Sequence, residues 1–84
     1  MKYSIEVKKS VLKSLKKIDK SEQIKIVSVI KKLANNPRPK NSVKLSGSDY
    51  YRVRIGLYRV IYEIIDKVLV IIVLKVAHRK DAYR

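Results

Sequence analysis

The spacing of apolar positions changes along the chain, and each change predicts a new element. Residues 2–7 alternate apolar and polar side chains, which is typical of a short, half-buried strand. After Ser10 the spacing becomes helical, and a second helical stripe follows Asp19, where Glu22 completes a capping-box pattern. Pro37 ends this stripe. Because few residues separate the stripes, we expect an antiparallel helical hairpin.

The pattern of residues 50–64 predicts a β-hairpin, because two alternating apolar runs flank the pair Gly56-Leu57. A two-residue loop with glycine first favours a type II′ turn, and that turn fixes the register of the two strands. In this register Arg54 lies directly opposite Arg59. Like charges in that position repel each other, so the arrangement gives the fold nothing by itself.

The remaining segments complete an α+β domain of order β-α-α-β-β-β, with a helical hairpin packed on an antiparallel sheet. Residues 38–49 form a loop with a short extended piece around Lys44-Leu45. Residues 68–76 are apolar on both faces, as in a central strand. The polar tail from His78 is compatible with a short terminal helix. Tyr51, Val53, Ile55, Val60 and Tyr62 should face the helices, and Arg52, Arg54, Arg59, Ile61 and Glu63 the opposite side.

Composition narrows the functional classes. The 84 residues form a single domain, 1–84, and 46% hydrophobic residues suffice for a core. A net charge of +14 attracts polyanions, with nucleic acid the first candidate partner, an anionic membrane the second and an acidic protein the third. We expect no membrane span, because the longest apolar run is far shorter than about 20 residues.

Cofactor chemistry has little support in the sequence. The absence of cysteine excludes disulfides and cysteine-based zinc sites, and it is compatible with a reducing, cytoplasmic compartment. One histidine and scattered carboxylates predict no metal site and no cofactor. An enzyme with this composition would rely on arginine electrostatics and a proton carrier.

Arginine and lysine are sorted along the chain. The predicted helices contain lysine and no arginine, whereas five of the six arginines lie in the predicted strands and tail of residues 50–84. Guanidinium groups bind phosphate in a planar, bidentate manner, and lysine acts as a flexible point charge. A cluster of Arg52, Arg54 and Arg59 on one sheet face therefore indicates phosphate binding. The alternative is an ordinary solvated face, and this alternative is the more natural one for the lysines.

Two tail residues are further candidates. His78 is the sole histidine, and the imidazole group suits proton transfer near neutral pH. A structural role for His78 is an equal alternative. Tyr83 is either a packing anchor for the tail or a phenol that stacks on a base or carries a proton.

Residues 44–84 resemble the C-terminal half of the RelE/ParE superfamily of toxins from toxin–antitoxin pairs. The resemblance rests on KLSG, YRVRIGLYRVIYEI and HRKDAYR in this order. The preceding strand and helical hairpin fit the same fold. The resemblance implies a RelE-type endonuclease that cuts messenger RNA in the ribosomal A site, without metal, by activating the ribose 2′-hydroxyl against the adjacent phosphate.

The resemblance also implies roles for individual residues. Arg59 and Arg79 match arginines that stabilise charge on the scissile phosphate, and Tyr83 matches a tyrosine that orients the nucleotide. Arg52 and Arg54 match basic residues, often lysines, that assist proton transfer. Arginine is too basic to accept a proton, so we expect these two to bind phosphate. The base would be His78, which we favour, Tyr83 or a ribosomal group. Further predicted RNA-binding residues are Lys44, Lys80 and Arg84.

Implied partners are the ribosome, messenger RNA and a small acidic antitoxin that wraps and neutralises the toxin. A ParE-like inhibitor of DNA gyrase has the same fold, although such chains usually lack the full arginine and tail-tyrosine set. Composition alone also fits a non-catalytic RNA-binding protein. These alternatives stay open at the level of sequence.

Overall fold

Two helices cover one face of a five-stranded sheet in the computed structural model, which describes residues 2–80. The sheet order is β1-β5-β4-β3-β2. The elements are β1 (Ser4–Val7), α1 (Lys9–Lys16), α2 (Lys20–Leu33), β2 (Ser42–Lys44), β3 (Tyr50–Ile55), β4 (Tyr58–Ile65), a 3₁₀ turn (Asp66–Val68) and β5 (Val70–His78). The α+β class and the helical pair on the sheet agree with the prediction.

The sheet is mixed, so the expectation of an antiparallel sheet is wrong in one respect. β1 pairs with β5 in parallel, and the other three pairings are antiparallel. Alternation along a strand shows which face is buried and not which strand is the neighbour. The extended piece predicted inside the loop is a fifth strand, since β2 pairs with β3 through Val43 and Arg52.

The core lies between the helices and the sheet. The helix-facing prediction for β3 and β4 is confirmed, because Val53, Ile55, Val60 and Tyr62 are buried and Tyr51 is half-buried against them. From the helices, the core receives Val11, Leu15, Ile26, Ile30 and Leu33.

The start of α2 differs from the predicted capping box. Asp19 occupies the cap position, but the structure contains no side-chain hydrogen bond there. Glu22 instead forms an ion pair with Lys25, whose ammonium lies 3.6 Å from the carboxylate. The capping pattern therefore predicted correctly where α2 begins, but the side-chain hydrogen bonds that it predicted are not formed.

The predicted β-hairpin is confirmed in its turn and in its register. Gly56 has a φ of 59°, as the first position of a II′ turn requires, and Arg54 pairs with Arg59. The third meander strand runs further than predicted, because His78 is the last residue of β5 and not part of a polar tail. The predicted terminal helix lies outside the described residues. Across residues 2–80, no helix is long and apolar enough to cross a membrane.

Candidate functional site

Three arginines from separate parts of the chain line one small cavity beside the hairpin turn. Arg54 comes from β3, Arg59 from β4, and Arg79 follows the last residue of β5. The cavity has a volume of about 50 Å³, and Gly56, Leu57 and Tyr58 complete its lining. We call Arg54, Arg59 and Arg79 the arginine cluster. It forms because the hairpin register pairs the first two and a backbone bond adds the third.

That backbone bond joins the end of β5 to the hairpin turn. The N–H of Arg79 donates to the carbonyl of Leu57 at a distance of 2.6 Å. On the same sheet face, Arg59 lies opposite Ala77, whose small side chain leaves room beside the guanidinium. The backbone positions of Arg59 and Arg79 are therefore fixed by strand pairing and by this hydrogen bond.

The environment of the cluster favours an anion. Arg59 is buried, with 8% of its surface exposed, whereas Arg54 and Arg79 are exposed. Neither Arg54 nor Arg79 forms an ion pair within residues 2–80, and no carboxylate is among the residues lining the cavity. Grouped guanidiniums can bind and stabilise a phosphate through charge-assisted hydrogen bonds, but they cannot accept a proton.

The other predicted RNA-binding residues do not all lie on the sheet face of the arginine cluster. Arg52 is on the same sheet face, opposite Ile61 and two residues further from the turn than Arg54. Lys44 pairs with Tyr51, so it belongs to the helix-bearing face and not to the arginine face. Lys80 is exposed and follows Arg79. The predicted site residues Tyr83 and Arg84 lie outside the described residues.

His78 is not brought into the arginine cluster. It pairs with Tyr58, and both side chains belong to the helix-bearing face. The cause is a bulge in β5: Ile61 pairs with Lys75, but the next residue, Tyr62, pairs with Val73. The extra residue reverses the alternation beyond it. Without the bulge, His78 would lie on the arginine face.

The surroundings of His78 are those of a half-buried structural residue. Its ring meets Tyr58 edge-on, with centroids 5.2 Å apart and ring planes at 89°. Nδ1 accepts a hydrogen bond from the backbone N–H of Lys80 at 3.1 Å. Beside His78 is a cleft of about 300 Å³ that is also lined by Ser14 of α1 and by Lys17, which follows α1. The role of His78 as a proton acceptor stays a prediction that this geometry does not support.

An arginine that the sequence did not single out has the opposite environment. The guanidinium of Arg38 binds Asp66 at 2.9 Å, and its Nε donates to the Tyr51 hydroxyl at 3.0 Å. Tyr3 donates its hydroxyl to the same carboxylate. We call Arg38, Asp66, Tyr3 and Tyr51 the Arg38 clasp. No local pattern could have found it, because the partners are far apart in sequence.

The clasp shifts the protonation equilibria of its members. The hydrogen bond from Arg38 holds the pKa of Asp66 below its usual range, and the bond from Tyr3 acts in the same direction. The hydrogen bond to Asp66 raises the pKa of Tyr3 and also that of Arg38. Nearby, burial raises the pKa of Tyr62, whose hydroxyl donates to the carbonyl of Pro37 at 2.7 Å.

Other surfaces carry less specific chemistry. The largest cleft described, about 670 Å³, is an open groove along α2 that includes the exposed Ile24 and the lysines Lys2, Lys31 and Lys32. It contains no carboxylate or histidine. Within residues 2–80, no three histidine or acidic side chains come together as a metal site would require. The arginine cluster is therefore the candidate site with the most defined chemistry.

Comparison with known proteins decides the family. The family described as the ParE toxin of the type II toxin–antitoxin system parDE matches residues 5–83. A protein of Methanocaldococcus jannaschii with the provisional name toxin RelE1 is 41% identical, over 100% of this chain and 98% of its own length. The chain belongs to the RelE/ParE superfamily. It is a toxin of a type II toxin–antitoxin system, of the RelE family.

Solved structures of the superfamily share the fold. The archaeal RelE–RelB complex from Pyrococcus horikoshii OT3 matches with a TM-score of 0.85 and 34% identity, covering 94% of this chain and 97% of the other. The RelB–RelE antitoxin–toxin complex from Methanococcus jannaschii matches with a TM-score of 0.75 and 28% identity, covering 93% and 94%. Both of these solved structures are complexes of a toxin with an antitoxin.

Proposed function

We propose that this toxin is an endoribonuclease that cuts messenger RNA in the ribosomal A site, with the reaction at the arginine cluster. The observation that carries the proposal is the convergence of Arg54, Arg59 and Arg79 on one cavity, where like charges oppose each other. Grouped guanidinium groups can bind a phosphate through charge-assisted hydrogen bonds, and such bonds are stronger than those between neutral groups. The similarity to proteins named RelE supports the same proposed function.

The proposed reaction is an internal transfer at one phosphodiester. The ribose 2′-hydroxyl loses its proton and its oxygen bonds to the adjacent phosphorus, while the bond from phosphorus to the 5′-oxygen of the next nucleotide breaks. The departing 5′-oxygen takes up a proton, and the products are a cyclic 2′,3′-phosphate and a 5′-hydroxyl. Negative charge increases on the phosphate oxygens during this step, and Arg59 and Arg79 stabilise it.

The proton carriers lie outside the cluster in this proposal. Arginine side chains remain protonated at neutral pH, so Arg52 and Arg54 bind phosphate and do not act as bases. His78 is on the opposite sheet face and does not take the proton. The acceptor is instead the phenol of Tyr83 or a ribosomal group. The lysines of α1 and α2 supply a diffuse positive field that draws the toxin to ribosomal RNA.

The partner that neutralises this toxin is proposed to be a small acidic antitoxin. A net charge of +14 and similarity to two toxin–antitoxin complexes support this assignment. We place the toxin in the cytoplasm, where ribosomes and messenger RNA occur. Coexpression with the adjacent gene should recover a stable complex that no longer inhibits translation.

Inhibition of DNA gyrase without RNA cleavage is the second candidate function. It is favoured by one observation, the match of residues 5–83 to the ParE toxin description. The cluster itself argues for the nuclease, since a protein that only binds gyrase has no need of three converging guanidinium groups.

Cell-free translation separates the two functions. Purified toxin is added to a translation reaction and transcript ends are mapped by primer extension, with Arg59→Ala as the test variant and Arg38→Ala as the matched control. The proposal expects cuts confined to translated codons, lost in Arg59→Ala and retained in Arg38→Ala. Intact transcripts together with inhibited gyrase supercoiling would overturn it in favour of the second function. Cuts in untranslated RNA would refute the ribosome dependence.

A further inference from the structure

The side chain of His78 is hydrogen-bonded to the backbone on the far side of Arg79. It is the last residue of β5, and its Nδ1 accepts the N–H of Lys80, two residues further along the chain. Asparagine and aspartate close turns with the same connection, from a side-chain acceptor to the second following amide. In this turn the imidazole Nδ1 takes the position of an asparagine Oδ1, and Arg79 is the central residue.

The backbone around Arg79 is consequently held at two points. Its own N–H is bound to the carbonyl of Leu57 at 2.6 Å, and the next N–H, that of Lys80, is bound to His78 at 3.1 Å. The ring of His78 is itself fixed by edge-on contact with Tyr58, its cross-strand partner. A rigid link thus runs from the helix-bearing face of the sheet to the arginine face.

Within residues 2–80, no carboxylate forms an ion pair that would orient Arg79. It lies in a cavity with Arg54 and Arg59, and it forms no ion pair within residues 2–80. Electrostatic repulsion among guanidiniums would turn an exposed arginine side chain towards solvent. The two hydrogen bonds of the backbone at Arg79 and Lys80 are therefore the described contacts that orient Arg79.

We propose that His78 is a positioning residue, which directs Arg79 into the arginine cluster through the hydrogen bond from Lys80 to Nδ1. In this role Nδ1 accepts a hydrogen bond from the backbone of Lys80, and His78 transfers no proton to or from RNA. This inference rests on the proposed reaction at the cluster.

Two substitutions distinguish positioning from proton transfer. His78→Asn keeps an acceptor at the position of Nδ1, and His78→Ala removes it. Since misplacing a catalytic group by about 1 Å can slow a reaction about 100-fold, we expect His78→Ala to lower the cleavage rate by about 10- to 100-fold. His78→Asn should stay within about threefold of wild type, because its closing hydrogen bond is retained. Equal, large losses in both variants would show that His78 transfers a proton and would overturn the proposal.

A readout without catalysis separates this inference from the proposed function. The exchange rate of the Lys80 amide proton is measured by NMR in the wild type and in both variants, with thermal unfolding as the check on folding. Loss of a hydrogen bond worth about 1 kcal/mol should speed exchange about fivefold in His78→Ala and leave His78→Asn near wild type. If the wild type cuts no RNA, the proposed nuclease fails, but this measurement still tests the turn. Unchanged exchange in His78→Ala would refute the positioning role.

Discussion

The two ends of β4 present arginine in opposite settings. At the end where β4 begins, Arg54, Arg59 and Arg79 gather around one cavity. At the other end, Arg38 is bound to Asp66 and to the hydroxyl of Tyr51. The strand of eight residues separates the two groups by roughly 25 Å.

The difference lies in what satisfies the charge. In the Arg38 clasp, the carboxylate accepts hydrogen bonds from the guanidinium and from Tyr3, so the charge of Arg38 is paired within the protein. In the arginine cluster, three guanidinium groups line one cavity, and no carboxylate is among the residues that line it. Arg38 at one end joins distant segments of the chain, and the arginines at the other end form the proposed phosphate site.

The largest expected effect is a crossed response to removing one arginine from each end. Arg79→Ala should lower RNA cleavage about 100-fold, because one group that stabilises the phosphate is lost. Its free energy of unfolding should be unchanged or higher. Arg38→Ala should cleave at the wild-type rate and unfold at lower urea concentration. The cleavage rate and the urea unfolding curve are measured for both variants. If both variants lose activity and stability to the same extent, the two groups of arginines do not differ in role.

Next in size is the effect on RNA binding and its salt dependence. An uncleavable oligonucleotide with 2′-O-methyl groups serves as the ligand, and its affinity is measured between low and moderate salt. Arg54→Gln should reduce the slope of log affinity against log salt by about 0.7, the value for one phosphate contact on a single strand. Arg38→Gln should change the slope less, because Asp66 already neutralises that charge. Equal slopes for the two variants would contradict the assignment of Arg54 to phosphate binding.

A smaller effect concerns the stability of the free protein. Arg54→Gln removes the repulsion from Arg59 and should raise the free energy of unfolding by about 0.2–1 kcal/mol at low salt. The gain should vanish near 1 M salt, where charges are screened beyond about 3 Å. The matched control is Arg52→Gln, since Arg52 lies opposite Ile61. A gain that persists at high salt would point to strand propensity in place of charge.

The smallest expected effect is the acid dependence of the Arg38 clasp. The pKa of Asp66 is lowered in the folded state, so its ionised form stabilises the fold above its unfolded pKa of about 3.9. That contribution is lost as pH falls through the lower, folded value. Asp66→Asn should lack this part of the acid transition, and its difference from wild type should shrink towards pH 2. Urea unfolding at a series of pH values checks the sign.

The parts of the fold that sequence could predict are those set by local rules. The register of the hairpin follows from alternation and from a two-residue turn that begins with glycine, and the structure agrees for Arg54 and Arg59. The parallel pairing of β1 with β5 and the bond between Arg38 and Asp66 join residues far apart in sequence. Their partners cannot be inferred from periodicity.

The candidate site shows the same limit. The gathering of Arg54 and Arg59 was predictable, but the face of His78 depended on a bulge that alternation does not reveal. The apolar run of β5 hides that bulge, because both of its faces contain Val, Ile and Leu. The burial of Arg59 was also missed, since a charged residue in a strand is expected at the surface.

The parallel pairing of the first strand with the last also determines when this protein can fold. β5 is an interior strand of the sheet, and residues 4–7 have no partner until residues 70–73 exist. Closing so long a separation is slow, as is usual for strands far apart in sequence. A nascent chain that stops before residue 70 has neither the partner of β1 nor Arg79. During synthesis, the chain therefore completes its sheet and its third clustered arginine in the same late step.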